Sequence, residues 1–349
     1  MDNLAHTLVG AAIGRVTGES RVPAPAILGA VAANAPDWTE LFTGIRLRRD
    51  TPIMAAAHRG ITHSLVGAAV QAAVFTVITG LALRSRSRRT NAPVPWGTLI
   101  LLYTAALASH LCMDWLGSYG LRPFLPWSDQ RYYGDWVGIV DPLFWLVPLV
   151  LLAWGQTRRW PVALGATILT ALILLLVFRY SGVATWLRWS CAAVAAAGVV
   201  GWHRHWFGPG ARRAAAATAL LILSGYTLAQ AGTAMVLRHR LGAVARARFG
   251  PDATYALVTR PGYPFTWDRV MADSDTVAGP GWSVPRHIRL PAVREALETA
   301  DGRALGGFYR FLAADVDSSG GRTVVYLHNA RRGYAWRGEP ITVPPARPR

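Results

Sequence analysis

Six long runs in this chain are almost free of ionised side chains: Leu65 to Leu83, Gly97 to Leu116, Pro142 to Gly155, Val162 to Phe178, Val183 to Trp202 and Ala214 to Leu237. Crossing a hydrocarbon core of about 30 Å takes roughly 20 helical residues. Within lipid the backbone must satisfy its own hydrogen bonds, and a helix does so within one segment. Most of the runs approach that length. The one from Pro142 is short and needs Asp141 and Trp154 near the interfaces. The expected fold is therefore mainly α, a polytopic helical membrane bundle.

The charge pattern supports that reading. All 36 basic side chains are arginine, and the formal net charge of +17 would suggest a nucleic-acid partner in a soluble protein. Here the arginines have places. Arg84, Arg86, Arg88 and Arg89 follow the first run, Arg158 and Arg159 the third, and Arg204, Arg212 and Arg213 the fifth. Basic loops that alternate with less basic ones are those that stay in the cytoplasm, so the charge reads as topology and attraction to lipid headgroups. No nucleic acid is expected. With the Arg84 to Arg89 loop inside, His63, His110, Asp114, Asp141 and the C-terminus fall on the extracytoplasmic face. The start lacks a basic n-region and its apolar stretch is broken by His6 and Arg15, so a cleaved signal peptide is not expected. Cys112 and Cys191 cannot make a disulfide scaffold.

Three regions follow. Residues 1–62 read as interfacial helices and loops, since Leu4 to Val16 and Ala24 to Ala33 are apolar but too short to span. Residues 63–237 form the bundle of about six spans, with Thr62 and Ser64 supplying hydroxyls to cap its first helix. Residues 238–349 change character. Tyr255 to Thr259 and Thr323 to Leu327 are β-prone stretches between turn residues, giving a small β-rich domain, and the end from Pro344 reads as disordered.

Metal-binding residue types cluster in the first half. His110 and Asp114 are one helical turn apart and can clasp one ion, although a histidine bonded to an aspartate at that spacing is also a common structural pair. His58 and His63 are five apart and cannot serve one site from a continuous helix; Gly60 offers the break, and Arg59 a planar fork for phosphate or carboxylate. A hydrogen-bonded capping cluster is the competing account. His6 taken alone is an interfacial imidazole. Asp37 after Pro36 reads first as a cap or turn residue, with Glu40 nearby, and Asp141 before Pro142 as a helix opener. What changes the balance is conjunction, because ionisable groups at membrane depth are costly and tend to be functional or paired.

In sequence order, Met1-Asp2 with His6, Pro36-Asp37, His58-Arg59-Gly60-Ile61-Thr62-His63-Ser64, His110 with Asp114, Tyr119-Gly120, Arg122-Pro123-Phe124 and Asp141-Pro142 resemble the bacterial YdjM-like family of membrane-bound metal-dependent hydrolases. The resemblance covers roughly Met1 to Trp145. It implies His6, Asp37, His58, His63, His110 and Asp114 as ligands or close supports of a divalent metal, one or two ions, zinc or alternatively manganese. It also implies the inner membrane as location, and a distant similarity to zinc-dependent phospholipase C and single-strand nucleases. Two positions depart from the family pattern: Thr39 stands where a second aspartate is usual, which would weaken a second ion or leave it to Glu40, and Ala5 replaces a threonine.

The function expected is hydrolysis of an ester or phosphoester of a membrane lipid or lipid-linked substrate by metal-activated water. Asp141 or Glu40 would be the general base or hold that water, and Arg59 and Arg122 would neutralise the leaving oxyanion. The alternative is a non-catalytic membrane protein whose polar cluster or metal is structural and whose tail binds a partner. His203 and His205 read as interfacial anchors, Asp315 to Gly320 as a β-turn and not a calcium loop, and His287 and His328 receive no role.

Overall fold

Asp2 starts the first helix by accepting from the Leu4 and Ala5 amides, each at 3.0 Å, so α1 runs Asn3–Gly18. This computed structural model describes residues 1–42, 51–154, 160–206, 211–319, 322–331 and 340–343. The chain forms two compact units, one of Met1–Trp38, Ile61–Thr233 and Thr259–Thr266, the other of Thr39–Gly60, Ala234–Val258 and Trp267–Arg349.

In the first unit α1 lies against α2 (Pro25–Phe42) with almost no side chain between them. A Cβ on Gly14 would sit 2.0 Å from the Pro25 carbonyl oxygen, and one on Gly29 2.1 Å from that of Gly10. Small residues allow this approach of backbones, as at helix crossings in lipid. The turn expected at Pro36 is absent. Pro36 sits inside α2, and its carbonyl accepts from Thr62 Oγ1 at 3.0 Å. The bonds and packing around it outweigh the one amide donor a proline removes.

Ser64 accepts from the Gly67 amide and caps α4 (Leu65–Thr90), the fourth helix in chain order. The arginines expected in a loop after the first run form its last turns, which end at left-handed Asn91. Next come α5 (Trp96–Trp115) and α6 (Leu143–Leu149), which continues as a π turn over Val150–Trp154. Then follow α7 (Trp160–Arg179), α8 (Thr185–His203) and α9 (Arg212–Phe249). One core joins α1 to α6, α7, α8 and α9 through Leu8, Val9, Leu146, Val177, Leu187 and Leu223. Another gathers Ala32 and Ala33 of α2 with Ala72, Leu99, Leu102 and Tyr103.

Four helices, Leu65–Arg89, Trp96–Trp115, Pro161–Arg179 and Arg212–Phe249, are long and apolar enough to cross a membrane. Val74, Ile78, Ile168, Leu172, Leu175, Leu221 and Leu228 are exposed on them, outer faces that suit hydrocarbon and not water. Among the described residues two of the six expected spans fall short. The apolar helix Leu143–Ala153 is brief, and α8 is diluted by Arg188 and by Trp186, Trp189 and Trp202. Arg158 and Arg159 lie outside the described residues.

In the second unit Thr51 caps α3 (Pro52–Ala57). The strands β1 (Thr254–Thr259), β2 (Trp267–Ala272), β3 (Thr276–Gly279) and β4 (Trp282–Pro285) make a sheet in sequence order. Ala256, Val258, Val270, Ala272 and Val277 are buried in its core, the two-residue repeat of a one-sided sheet. Two short helices, α10 (Pro291–Glu298) and α11 (Ala300–Phe308), precede the antiparallel sheet of β5 (Leu312–Asp317), β6 (Thr323–Asn329) and β7 (Pro340–Val343). The β stretches expected at Tyr255 and Thr323 are thus strands. The end from Pro344 lies outside the described residues, as does Gly320 of the Asp315 to Gly320 segment.

Candidate metal centre

Helices α1, α2 and α5 and the turn before α4 each deliver one or two acid or imidazole groups to a single buried place in the first unit. His6 is the fourth residue of α1, Asp37 lies in the last turns of α2, His63 ends the 3₁₀ turn Ile61–His63, and His110 and Asp114 lie one turn apart in the last two turns of α5. All five are buried, none more than 2% exposed.

Ligand atoms of His6, Asp37 and His110 lie within 4.8 Å of one another, and so do those of His63, His110 and Asp114. His63 Nε2 is 3.2 Å from Asp37 Oδ1 and 3.6 Å from Asp114 Oδ2. His110 Nε2 is 3.6 Å from Asp114 Oδ2 and 4.0 Å from Asp37 Oδ1, and His6 Nε2 is 3.4 Å from Asp114 Oδ1. Ligands about 2.1 Å from a shared tetrahedral ion stand about 3.4 Å apart, so these gaps suit a common cation.

The hydrogen bonds point the same way. His110 Nδ1 is 2.7 Å from the Ala33 carbonyl oxygen, which can only accept, so Nδ1 carries the proton and Nε2 keeps a lone pair facing the acids. A carbonyl behind an imidazole commonly sets the tautomer of a metal ligand this way. His110 Nε2 and both ring nitrogens of His6 are buried without a hydrogen-bond partner among the described residues. The two rings stack at 4.0 Å. Burial first, and the neighbouring α-amino group second, push the His6 imidazole below its ordinary range, with Asp114 pulling back. A neutral imidazole is the form that donates a lone pair to a metal.

The acids are held from behind. Asn3 Nδ2 donates to Asp37 Oδ2 at 2.9 Å and to Asn34 Oδ1 at 3.3 Å, and Asn34 in turn donates to Thr7 at 2.9 Å. The Met1 α-amino group meets Asp114 Oδ1 at 2.5 Å. Sequence reading missed these asparagines, although Asn3 precedes His6, and Asn34 precedes Asp37, by the three residues that share a helix face.

The other expected site residues have different surroundings. His58 caps the end of α3 in the second unit, where its Nδ1 is 3.0 Å from Glu40 Oε2, and the Arg59 amide donates to Glu40 Oε1 at 2.6 Å. The helical break expected at Gly60 spans His58 to Gly60, with Arg59 at a φ of 51°. Arg122 Nη1 donates to Asp129 at 2.7 Å. Asp141 opens α6 by accepting from the Leu143 amide at 3.0 Å, and its other oxygen accepts from Tyr226 at 2.8 Å. Burial raises its carboxyl to about 6, against the pull of those two donors. Trp145, two residues beyond Leu143, donates its indole N–H to Asp2.

Residues 1–185 of this chain match the family model described as YdjM inner membrane protein. The chain belongs to the YdjM family. That match takes in every residue of the metal cluster and helices α1, α2, α4, α5, α6 and α7. No curated protein and no solved structure matches. Membership of the YdjM inner membrane family and the four apolar helices together make this a membrane protein.

Proposed function

We propose that this YdjM-family protein is a membrane-bound metal-dependent hydrolase of a lipid or lipid-linked phosphoester or ester. The observation that carries the reading is the pair of buried imidazoles, His6 and His110, whose free nitrogens face two buried carboxylates. Leaving such atoms unsatisfied is costly, and a divalent cation would take up the lone pair of each ring. His6, Asp37, His63, His110 and Asp114 would hold the ion, and an all-nitrogen and oxygen donor set suits zinc or manganese. When bound, it supplies a Lewis acid for the ester oxygen and for an attacking water.

Asp141 is the acid-base candidate we favour over Glu40. Both carboxylates have their oxygens engaged, Asp141 by the Leu143 amide and Tyr226, and Glu40 by His58 and the Arg59 amide, but burial raises the Asp141 carboxyl to about 6. Arg122, and Arg59 if it reaches the substrate, would neutralise the leaving oxyanion. Catalysis and the C-terminal domain are assigned to the extracytoplasmic face. A second reading has one observation behind it: five ligands this deeply buried also suit a closed, structural ion.

The test is to purify the chain in detergent and assay phosphomonoester, phosphodiester and carboxylic ester substrates with zinc or manganese. Hydrolysis that falls at least about 100-fold in Asp114→Asn supports the enzyme. A metal-loaded protein inert towards all three classes supports the structural ion instead.

A further inference from the structure

The second unit contains a groove unrelated to the metal cluster, with a volume of about 420 Å³. One wall is a single face of α9. Leu237, Arg240, Leu241, Val244 and Arg248 recur at the three- and four-residue spacing that aligns side chains along a helix. Opposite are Arg269 and Met271 of β2 and the Pro280-Gly281 turn between β3 and β4. Gly281 has a φ of 79°, the backbone state that a proline-glycine turn requires. Three arginines line the groove and no acidic residue does. The remaining lining is apolar, with buried Met271 and Leu241 at its base.

Its place along α9 selects the ligand. The helix is apolar from Ala214 to Val236, and the groove starts at Leu237, where arginines begin to replace that surface. From Leu237 to Arg248 the helix rises about 16 Å. A headgroup layer lies next to the hydrocarbon and is several ångströms deep, so the near end of the groove falls at phosphate level if α9 crosses the membrane. Positive charge above an apolar floor complements a molecule with a phosphate at one end and acyl chain at the other. We propose that this groove binds an anionic glycerophospholipid, with Arg240 and Arg269 on the phosphate, Arg248 farther out over the headgroup, and Leu237, Leu241 and Met271 against the glycerol and upper acyl carbons. This does not depend on the hydrolase reading.

The experiment uses the full chain in detergent, with bound lipid counted by native mass spectrometry. Dioleoylphosphatidylglycerol should be retained about tenfold better than dioleoylphosphatidylcholine. The triple variant Arg240→Gln, Arg248→Gln, Arg269→Gln should lose that preference. Val244→Trp, which fills the groove at an exposed position and leaves the charge unchanged, should weaken phosphatidylglycerol binding about tenfold; it also decides the matter if the triple variant fails to fold. Equal retention of the two lipids, or a Val244→Trp variant that binds as well as wild type, overturns the proposal. So does displacement of the lipid by an equal concentration of glycerol 3-phosphate, since the free headgroup would then suffice.

Discussion

Asn3 illustrates how much of the centre rests on residues that are not ligands. Its amide donates to the Asp37 oxygen turned away from His63, fixing which lone pairs face the cluster. Asn3→Ala should weaken zinc affinity about 10-fold or more while the protein still folds, which competition with a chelating dye would measure; unchanged affinity would remove Asn3 from the account. Asp141 offers a different probe. Its carboxyl, normally near 3.8, is raised to about 6 by burial. The fold therefore favours the protonated form, and the stabilisation is complete below about pH 4 and lost as pH rises through 6, by about 3 kcal/mol at most. Asp141→Asn stays neutral throughout. Thermal unfolding in detergent should show wild type losing stability relative to this variant between pH 4 and 6, with a constant difference above. Parallel curves would contradict the shift.

At the scale of elements, the contact that brings His6 towards Asp37 is the glycine-lined crossing of α1 and α2. Gly14→Leu should destabilise by several kcal/mol, because its Cβ would meet the Pro25 carbonyl at 2.0 Å. Gly97→Ala, with nothing within 4 Å, should be nearly silent. Heating the two variants in detergent and following aggregation checks this; equal behaviour would mean the crossing does not hold the pair. What was legible in the sequence follows the range of the interaction. The closeness of His110 and Asp114 lies within one helical turn and was readable from spacing. Ser64 as a cap and Asp141 as a helix opener were readable for the same local reason. Pro36 was misread as a turn because the bonds that keep it helical, such as Thr62 to its carbonyl, come from 26 residues away. The Asn3 and Asn34 supports went unseen because asparagine on a helix announces nothing until its distant acceptor is known.

The whole molecule reads as a membrane protein because long apolar helices and family membership agree. Arginine placement and apolar runs carried that far in the sequence, while span number did not follow: the run that becomes α8 is diluted by an arginine and tryptophans, and the one from Pro142 yields only a brief helix. The central claim is that α1, α2, the turn before α4, and α5 meet around one kind of ion. Elemental analysis of the purified chain tests it most directly. Wild type should carry about one zinc or manganese per chain or more. His110→Ala and Asp114→Ala should lose it, and Cys112→Ser, at an exposed position on the same helix, should keep it. Full metal content in both the His110 and Asp114 variants would contradict the account.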